Sequence, residues 1–375
     1  MLSTLEADRA HVAALTAQIL DLENSIRVLQ LEREKAQSRL DSYKYPVLAL
    51  PTEIVTEIFL RIPPSYPVVP SPAETRSLAA LACICREWRE IALSIPSLWK
   101  AINFLDLPSE HRVHNSQLWL QRSRSCPLSI EFDAGDTGNL ADVFKFLTLG
   151  AHRARCEHMK LGLFPRDLPL MEGSMPLLRH LDLELHNGSP IRPVSLSEAP
   201  LLRSAVLNSE AASWVLLPWT QLTSLVLNGV ILRDCFTILE QTPNLIHCEL
   251  YVGSNMDDRN RVISLPRLES LVLQGLAHPF MPYLQSLATP ALCHLTITEP
   301  FLGHNPFRSL TDFISESASK LQEVRVIGKK RHSRKRYREA LPSVPRFSFG
   351  PRELKRRAGE EDFGTESDYY SSDSN

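Results

Sequence analysis

Cys83 and Cys85 are the two closest thiols in the chain, and a close thiol pair can do redox or metal chemistry. Their spacing is not that of a CxxC site. The other cysteines, Cys126, Cys156, Cys235, Cys248 and Cys293, are scattered. An odd total of seven with no CxxC pair reads as free thiols in a reducing compartment. Cys85 falls on an apolar helical face, and both Cys83 and Cys85 are expected as core thiols. The twelve histidines are dispersed, and no His/Cys group has zinc spacing. Asp257 and Asp258 lie in a polar stretch without partners. Nucleophile-elbow, phosphate-loop, dinucleotide and HExxH patterns are absent from the sequence. These residues predict a non-enzymatic protein that needs no cofactor and no metal.

The positions that carry function are therefore expected on surfaces, and the elements that present them can be read from composition and periodicity. A chain of 375 residues exceeds one core and implies two or more units or an elongated array. Its hydrophobic fraction of 43% and charged fraction of 22% are ordinary for globular proteins. The net charge of −2 does not mark the whole chain as a nucleic-acid binder. No signal peptide and no 18-residue apolar run are recognisable, so a cytoplasmic or nuclear protein without a membrane partner is expected. Leucine is over-used, at 59 residues.

Residues 1–42 carry a heptad pattern. With Leu5 as a, the a positions are Leu5, Val12, Ile19, Ile26, Arg33 and Leu40, and the d positions are Asp8, Leu15, Leu22, Leu29 and Ala36. β-Branched residues at a with leucine at d favour a parallel two-stranded coil. No glycine or proline precedes Pro46, so nothing breaks the helix. A lone helix of this length is marginal in water, so the stripe buries against a second copy, a partner coil or its own domain.

Residues 45–103 predict a small all-α unit of three short helices. Leu50-Pro51 opens it, and Ile54, Val55, Ile58 and Phe59 follow at helical spacing. Five prolines in 63–72 predict an extended surface loop. Leu78, Leu81, Cys85, Trp88 and Ala92 then share one helical face, and Ile95-Pro96-Ser97-Leu98-Trp99 closes the unit.

This stretch resembles an F-box. The resemblance rests on Leu50-Pro51-Thr52-Glu53-Ile54, Ile58-Phe59, the run from Leu81 through Cys83-Ile84-Cys85 to Trp88-Arg89, and Pro96-Ser97-Leu98-Trp99. Ile84 stands where the family has valine, and the proline-rich loop is longer than in the shortest members. The pattern is similar to fungal proteins that place a coil before the F-box and leucine repeats after it. The resemblance implies docking on a Skp-type adaptor and, through it, a cullin. The implied docking residues are Leu50, Pro51, Glu53, Ile54, Ile58, Phe59, Cys83, Trp88, Leu98 and Trp99, although Leu81 and Trp88 also suit the unit's own core. A small domain cannot hide that much apolar surface, and an exposed apolar patch marks an interface.

Residues 126–328 repeat the frame apolar-x-x-apolar-x-apolar. Seven copies begin at Leu178, Leu202, Leu222, Leu245, Leu268, Leu292 and Leu321, spaced by 24, 20, 23, 23, 24 and 29 residues. A weaker copy begins at Cys156, and Leu128–Phe132 alternates like an earlier strand. Six copies carry a proline at or just before the anchor: Pro176, Pro200, Pro218, Pro243, Pro266 and Pro290. The frame resembles the leucine-rich repeat, a solenoid whose stacked strands form a parallel sheet. The asparagine frequent in that family is replaced here by His186, Glu210, Val230, Gly253, Leu276 and Pro300. The residues between the apolar ones would form a concave face suited to an unknown target protein, with His180, Asp182, Val226, Glu249, Val272 and Thr296 as its candidates.

From residue 329 the character changes. Lys329–Arg338 holds seven positive residues in ten, a pattern of nuclear-import or polyanion patches. A serine- and tyrosine-bearing acidic stretch follows Gly359, and 329–375 is expected to be a disordered tail. Its two halves could also simply attract each other. The whole reads as an α/β protein: coiled-coil helix, F-box, leucine-rich-repeat solenoid with a parallel sheet, tail. The function expected is substrate recognition in a Skp–cullin–RING ubiquitin ligase, with a homodimer through the coil. The alternative is a non-degradative repeat scaffold, in its nuclear form associated with nucleic acid; nucleic acid is not the expected partner.

Overall fold

A computed structural model describes residues 2–42, 50–104, 112–133, 152–186, 188, 192–252, 262–275, 283–302, 304–316, 321–328 and 332–350. The chain divides into two compact units, Met1–Leu60 and Arg61–Asn375. The first holds helices α1 (Leu2–Ser42) and α2 (Thr52–Leu60). Helix α1 runs unbroken for 41 residues, about 60 Å. Its side chains from Thr4 onward are all exposed.

The second unit opens with the proline-rich loop and helices α3 (Pro72–Ile84) and α4 (Arg86–Ser94). A capping box starts α3: the Glu74 N–H donates to Ser71 Oγ at 3.4 Å, and the Ser71 N–H donates to Glu74 Oε2 at 2.7 Å. The single helical face expected over Leu78–Ala92 is interrupted. Cys85 is extended, with φ −152° and ψ 172°, and its Sγ accepts from the Trp88 N–H at 3.4 Å to cap α4. A cysteine in the middle of an apolar stripe thus serves as a helix start, and the stripe divides between two helices.

The main body is an eleven-stranded parallel sheet with its strands in sequence order. Its strands are β1 (Ala101–Asn103), β2 (Leu128–Asp133), β3 (Cys156–Leu163), β4 (His180–Leu185), β6 (Ser204–Asn208) and β8 (Ser224–Val230). Then come β9 (His247–Val252), β11 (Ser270–Gly275), β13 (His294–Thr298), β14 (Glu323–Ile327) and β15 (Arg346–Gly350). Strands β5 (Val194–Ser195) and β7 (Val215–Leu216) form a separate two-residue ladder, as do β10 (Ile263–Ser264) and β12 (Leu287–Ala288). The longer helices of this part are α5 (Arg112–Arg122), α6 (Ser209–Trp214), α7 (Leu232–Leu239), α8 (Pro306–Glu316) and α9 (Arg334–Ala340).

Every copy of the apolar frame became a strand of this sheet. Strand register places the frames side by side: Leu181 faces Ala205, which faces Leu225, then Cys248, Leu271, Leu295 and Val324. All seven are buried. The prolines have a definite structural use. In Met175-Pro176-Leu177-Leu178 the anchor N–H donates to the carbonyl three residues back, at 3.1 Å. The same bond joins Leu202 to Ala199, Leu245 to Thr242, Leu268 to Leu265 and Leu292 to Thr289, with proline second in each turn. Proline's fixed φ suits that position of a β-turn.

The sheet is longer than the expected 126–328 array at both ends. Strand β1 lies within the stretch expected to be purely helical, and α9 and β15 lie within the expected tail. Leu98 and Val344 make the same proline turn, donating to Ile95 and Leu341 at 3.3 and 3.2 Å. Residues 351–375, and with them the acidic stretch and Lys355–Arg357, fall outside the described residues, as do Asp257, Asp258 and Lys329–Arg331.

Strict alternation separates stability from surface in neighbouring residues. Leu225→Ala is expected to lower the unfolding free energy by about 2–5 kcal/mol, and Val226→Ala by less than about 1 kcal/mol. Denaturant titration of the two variants checks this; equal losses would contradict the assigned faces.

Candidate functional site

In the first unit, α2 is two-faced. The Pro51 carbonyl accepts from the Ile54 and Val55 N–H groups at 3.0 and 3.2 Å and so starts the helix. Val55 and Phe59 are buried, whereas Ile54 is 48% and Ile58 45% exposed, one turn apart on the same face. Leu50 and Leu60 at its ends are exposed at 37% and 36%, and Pro51 and Glu53 are exposed too. A nine-residue helix thus shows water a row of large aliphatic side chains.

In the second unit, α3 exposes Cys83 and Ile84 near its C-terminus, Ile84 at 59%. Cys83 is therefore a surface thiol and Cys85 a half-buried one, not the two core thiols expected. Trp88 is half-buried. Leu98 and Trp99 are interior residues that present no docking surface, and Phe59 is likewise buried. Trp99 Nε1–H donates to the Ala92 carbonyl at 2.9 Å, its ring meets Trp119 of α5 edge-on at 5.0 Å, and Arg122 stacks over it at 4.6 Å. Of the ten docking candidates, Leu50, Pro51, Glu53, Ile54, Ile58 and Cys83 are exposed.

The target-face candidates come together on the outward side of the sheet. Ladder register runs Lys160, Asp182, Val206, Val226, Glu249, Val272, Thr296, Arg325 as one continuous row. With strands about 4.8 Å apart, this row spans roughly 35 Å. His180 belongs to the neighbouring row, where it faces His158 and Ser204. Charge lies at the row's ends and at Glu249, which is set between Val226 and Val272. Glu249 is held in place: His247 Nε2 lies 2.9 Å from one carboxylate oxygen, and the Tyr251 hydroxyl donates to the other at 3.0 Å. His180 Nδ1 lies 3.0 Å from Ser204 Oγ. Burial lowers the His158 and His180 pKa values, which keeps these rings neutral near pH 7.

Sequence reasoning missed the role of the proline-rich loop, which the structure lays over the first strands. The Tyr66 hydroxyl donates to Glu157 at 2.8 Å, its ring meets His158 at 5.5 Å, and Lys100 sits 4.1 Å from its centroid. Ser129 Oγ–H donates to the Pro67 carbonyl at 2.6 Å. Burial, reinforced by the Glu157 hydrogen bond, pushes the Tyr66 phenol upward. The outward face is thus partly covered at β2 and β3 by the chain itself. The bare tyrosine between prolines gave no periodic signal that could have shown this.

The basic run does not stand free along its described part. Tyr337 of α9 is buried against Phe307, Phe347 and Phe349, and its hydroxyl donates to the buried Glu299 at 2.8 Å. His332 Nδ1 lies 2.9 Å from the same carboxylate oxygen. Lys335, Arg336 and Arg338 remain exposed around that anchor. Among the described residues, no three His, Cys, Asp or Glu side chains are placed to hold a metal, and no helix is long and apolar enough to cross a membrane.

Residues 47–105 match the F-box-like family. The chain therefore carries an F-box-like domain, a kind of domain that generally binds Skp-type adaptors and points to a role in ubiquitin-ligase assembly. No curated protein matches the chain.

The thiols supply a direct check of this geometry. Burial pushes Cys156 and Cys235 up to about 12, above the free-thiol value. Because the folded values are raised, the stability they contribute is complete below about pH 8.5 and is lost as pH rises toward the folded values near 12. A maleimide at pH 7.5 is expected to modify Cys83 in a fast phase that Cys83→Ser removes. Cys156, Cys235 and Cys248 should stay unmodified until the sheet unfolds; their modification in the native protein would contradict the burial described.

Proposed function

We propose that this protein is the substrate-recognition subunit of a Skp–cullin–RING ubiquitin ligase. Its F-box-like domain docks on a Skp-type adaptor, and its sheet holds a target protein. The observation that carries this reading is the exposed pair Ile54 and Ile58 on α2, with Leu50 exposed just ahead of the helix, within the family match. Water-exposed leucine and isoleucine aligned on one short helix are costly to leave bare and suit a groove on a partner. No chemistry is required of the chain. The activated ubiquitin is delivered by another subunit, and the receptor's task is to raise the local concentration of target.

The sheet is read as a leucine-rich-repeat-like array. The supports are the 20–29-residue period, the shared apolar frame and the recurring proline turn. The target is held along the row from Asp182 to Thr296, where central valines provide apolar contact and the flanking charges set register. Helix α1 pairs two copies of the chain through its heptad seam.

In co-purification with a Skp-type adaptor, Ile54→Asp with Ile58→Asp is expected to weaken binding by about a hundredfold or more. Val226→Asp should leave adaptor binding intact while abolishing capture of the target. Undiminished adaptor binding by the double variant would sink the α2 docking face. Failure of the wild-type chain to bind any such adaptor would sink the ligase reading as a whole.

A further inference from the structure

We propose that two copies of this chain pair through α1 in antiparallel orientation, with Asp8 and Arg33 forming interhelical ion pairs near both ends of the seam. The proposal rests on the self-association reading above and adds its direction. The observation behind it is an unbroken helix whose seam side chains are bare, from 44% exposure at Leu15 to 69% at Leu40, with two charged residues set into the seam. Asp8 occupies a d position and Arg33 an a position, both exposed.

Direction follows from what each seam residue meets. In a parallel in-register pair every residue faces its own copy. Asp8 would meet the partner's Asp8, and Arg33 the partner's Arg33, placing two like-charge contacts in an otherwise apolar seam. In an antiparallel pair, a positions face d positions. With Ile19 opposite the partner's Leu22, Leu15 falls opposite the partner's Ile26 and Val12 opposite the partner's Leu29. The same register brings Asp8 opposite the partner's Arg33, and two-fold symmetry repeats the contact at the other end. Both charged positions are then matched, with no change to the apolar layers between them.

The flanks agree. In this register His11 lies beside the partner's Glu32, Thr16 beside the partner's Glu23, and Arg9 beside the partner's Gln30, so no like charges meet. The β-branched residues at a, from which a parallel pair was expected, select two strands among parallel coils and so distinguish oligomer number, not direction. Like charges apposed in an interface select against a pairing more strongly than a side-chain branching preference selects for it.

Light scattering of the full chain across a dilution series tests this. The wild type is expected at twice the chain mass. Arg33→Asp alone sets two acidic pairs into the antiparallel seam and should raise the dimer dissociation constant at least about tenfold. Adding Asp8→Arg to that variant should restore it to within about threefold, because the pairs re-form with reversed sign. In a parallel dimer all three chains would carry like-charge contacts and dissociate alike. A single reversal without effect, or a double reversal without rescue, overturns the antiparallel direction alone; a wild type that stays monomeric overturns self-association as well.

Discussion

The second unit depends on one recurring constraint: a four-residue turn with proline in second place, closed by the N–H of its fourth residue, that leads the chain into seven of the eleven strands of the main sheet. Proline removes a donor and holds φ, so the turn loses little entropy on folding. The anchor then buries its side chain, and the next inward residues fall three and five positions later. Because strands pair in parallel with matching register, an error in one turn would shift a whole strand's apolar set to the wrong face. The turns at Ile95-Pro96 and Leu341-Pro342 mark the first and last strands of the sheet, which the leucines do not. It also gives Pro96-Ser97-Leu98-Trp99 a second meaning. A motif belonging to the F-box-like match is also the entry into the first strand, and Trp99 joins α4 to α5 beneath it.

Each end of a stacked sheet leaves an apolar edge that must be closed. Beside the first strand, buried Trp99 and Trp119 meet edge-on. At the finish the closure is partly polar: buried Glu299 accepts from Tyr337, and α9 is thereby drawn onto β15. A buried carboxylate is tolerable only with such partners, because an unpaired one would bear the full desolvation cost. Burial and the same carboxylate push the Tyr337 phenol upward, keeping it a donor. The described part of the basic run is therefore held by a side chain of opposite character to its own charge, and Lys335, Arg336 and Arg338 are surface passengers on α9.

Much of this was legible in the sequence, and what was not has identifiable causes. The nine strands that carried aliphatic frames were readable because period-two alternation and a constant interval reinforce each other. Strand β15 carried the same frame in Val344, Phe347 and Phe349 after Pro342, and β1 in Trp99, Ile102 and Phe104 after Pro96. Aromatic residues replaced leucine there, and the neighbouring basic run and F-box pattern drew those stretches to other readings. The Ser71-Pro72-Ala73-Glu74 capping box that starts α3 went unread, hidden at the end of the proline-rich stretch. The break at Cys85 was not legible either, because a thiol is a weak acceptor and rarely announces a cap. The Tyr66 contacts were out of reach, since they join residues 91 positions apart through a loop without periodicity. On α2, helical spacing identified the helix but could not say which of Ile54, Val55, Ile58 and Phe59 faced inward.

The alternation that made the sheet legible also makes its outward face adjustable. Asp182, Val206, Val226, Glu249, Val272 and Thr296 lie in one row yet contribute almost nothing to the buried spine, whose members are their immediate neighbours in sequence. A substitution in the row changes the outward surface at small cost to folding, whereas the next residue along cannot change without opening a cavity. Glu249 is the exception: His247 and Tyr251 fix its carboxylate, so its charge is presented in one orientation while the valines on either side offer only shape. A ligand matched to this row would place a donor group opposite Glu249 and apolar groups beside it. Selectivity in such a ligand would then come from one pre-oriented charge in an apolar surround, which favours a partner bringing a donor to it.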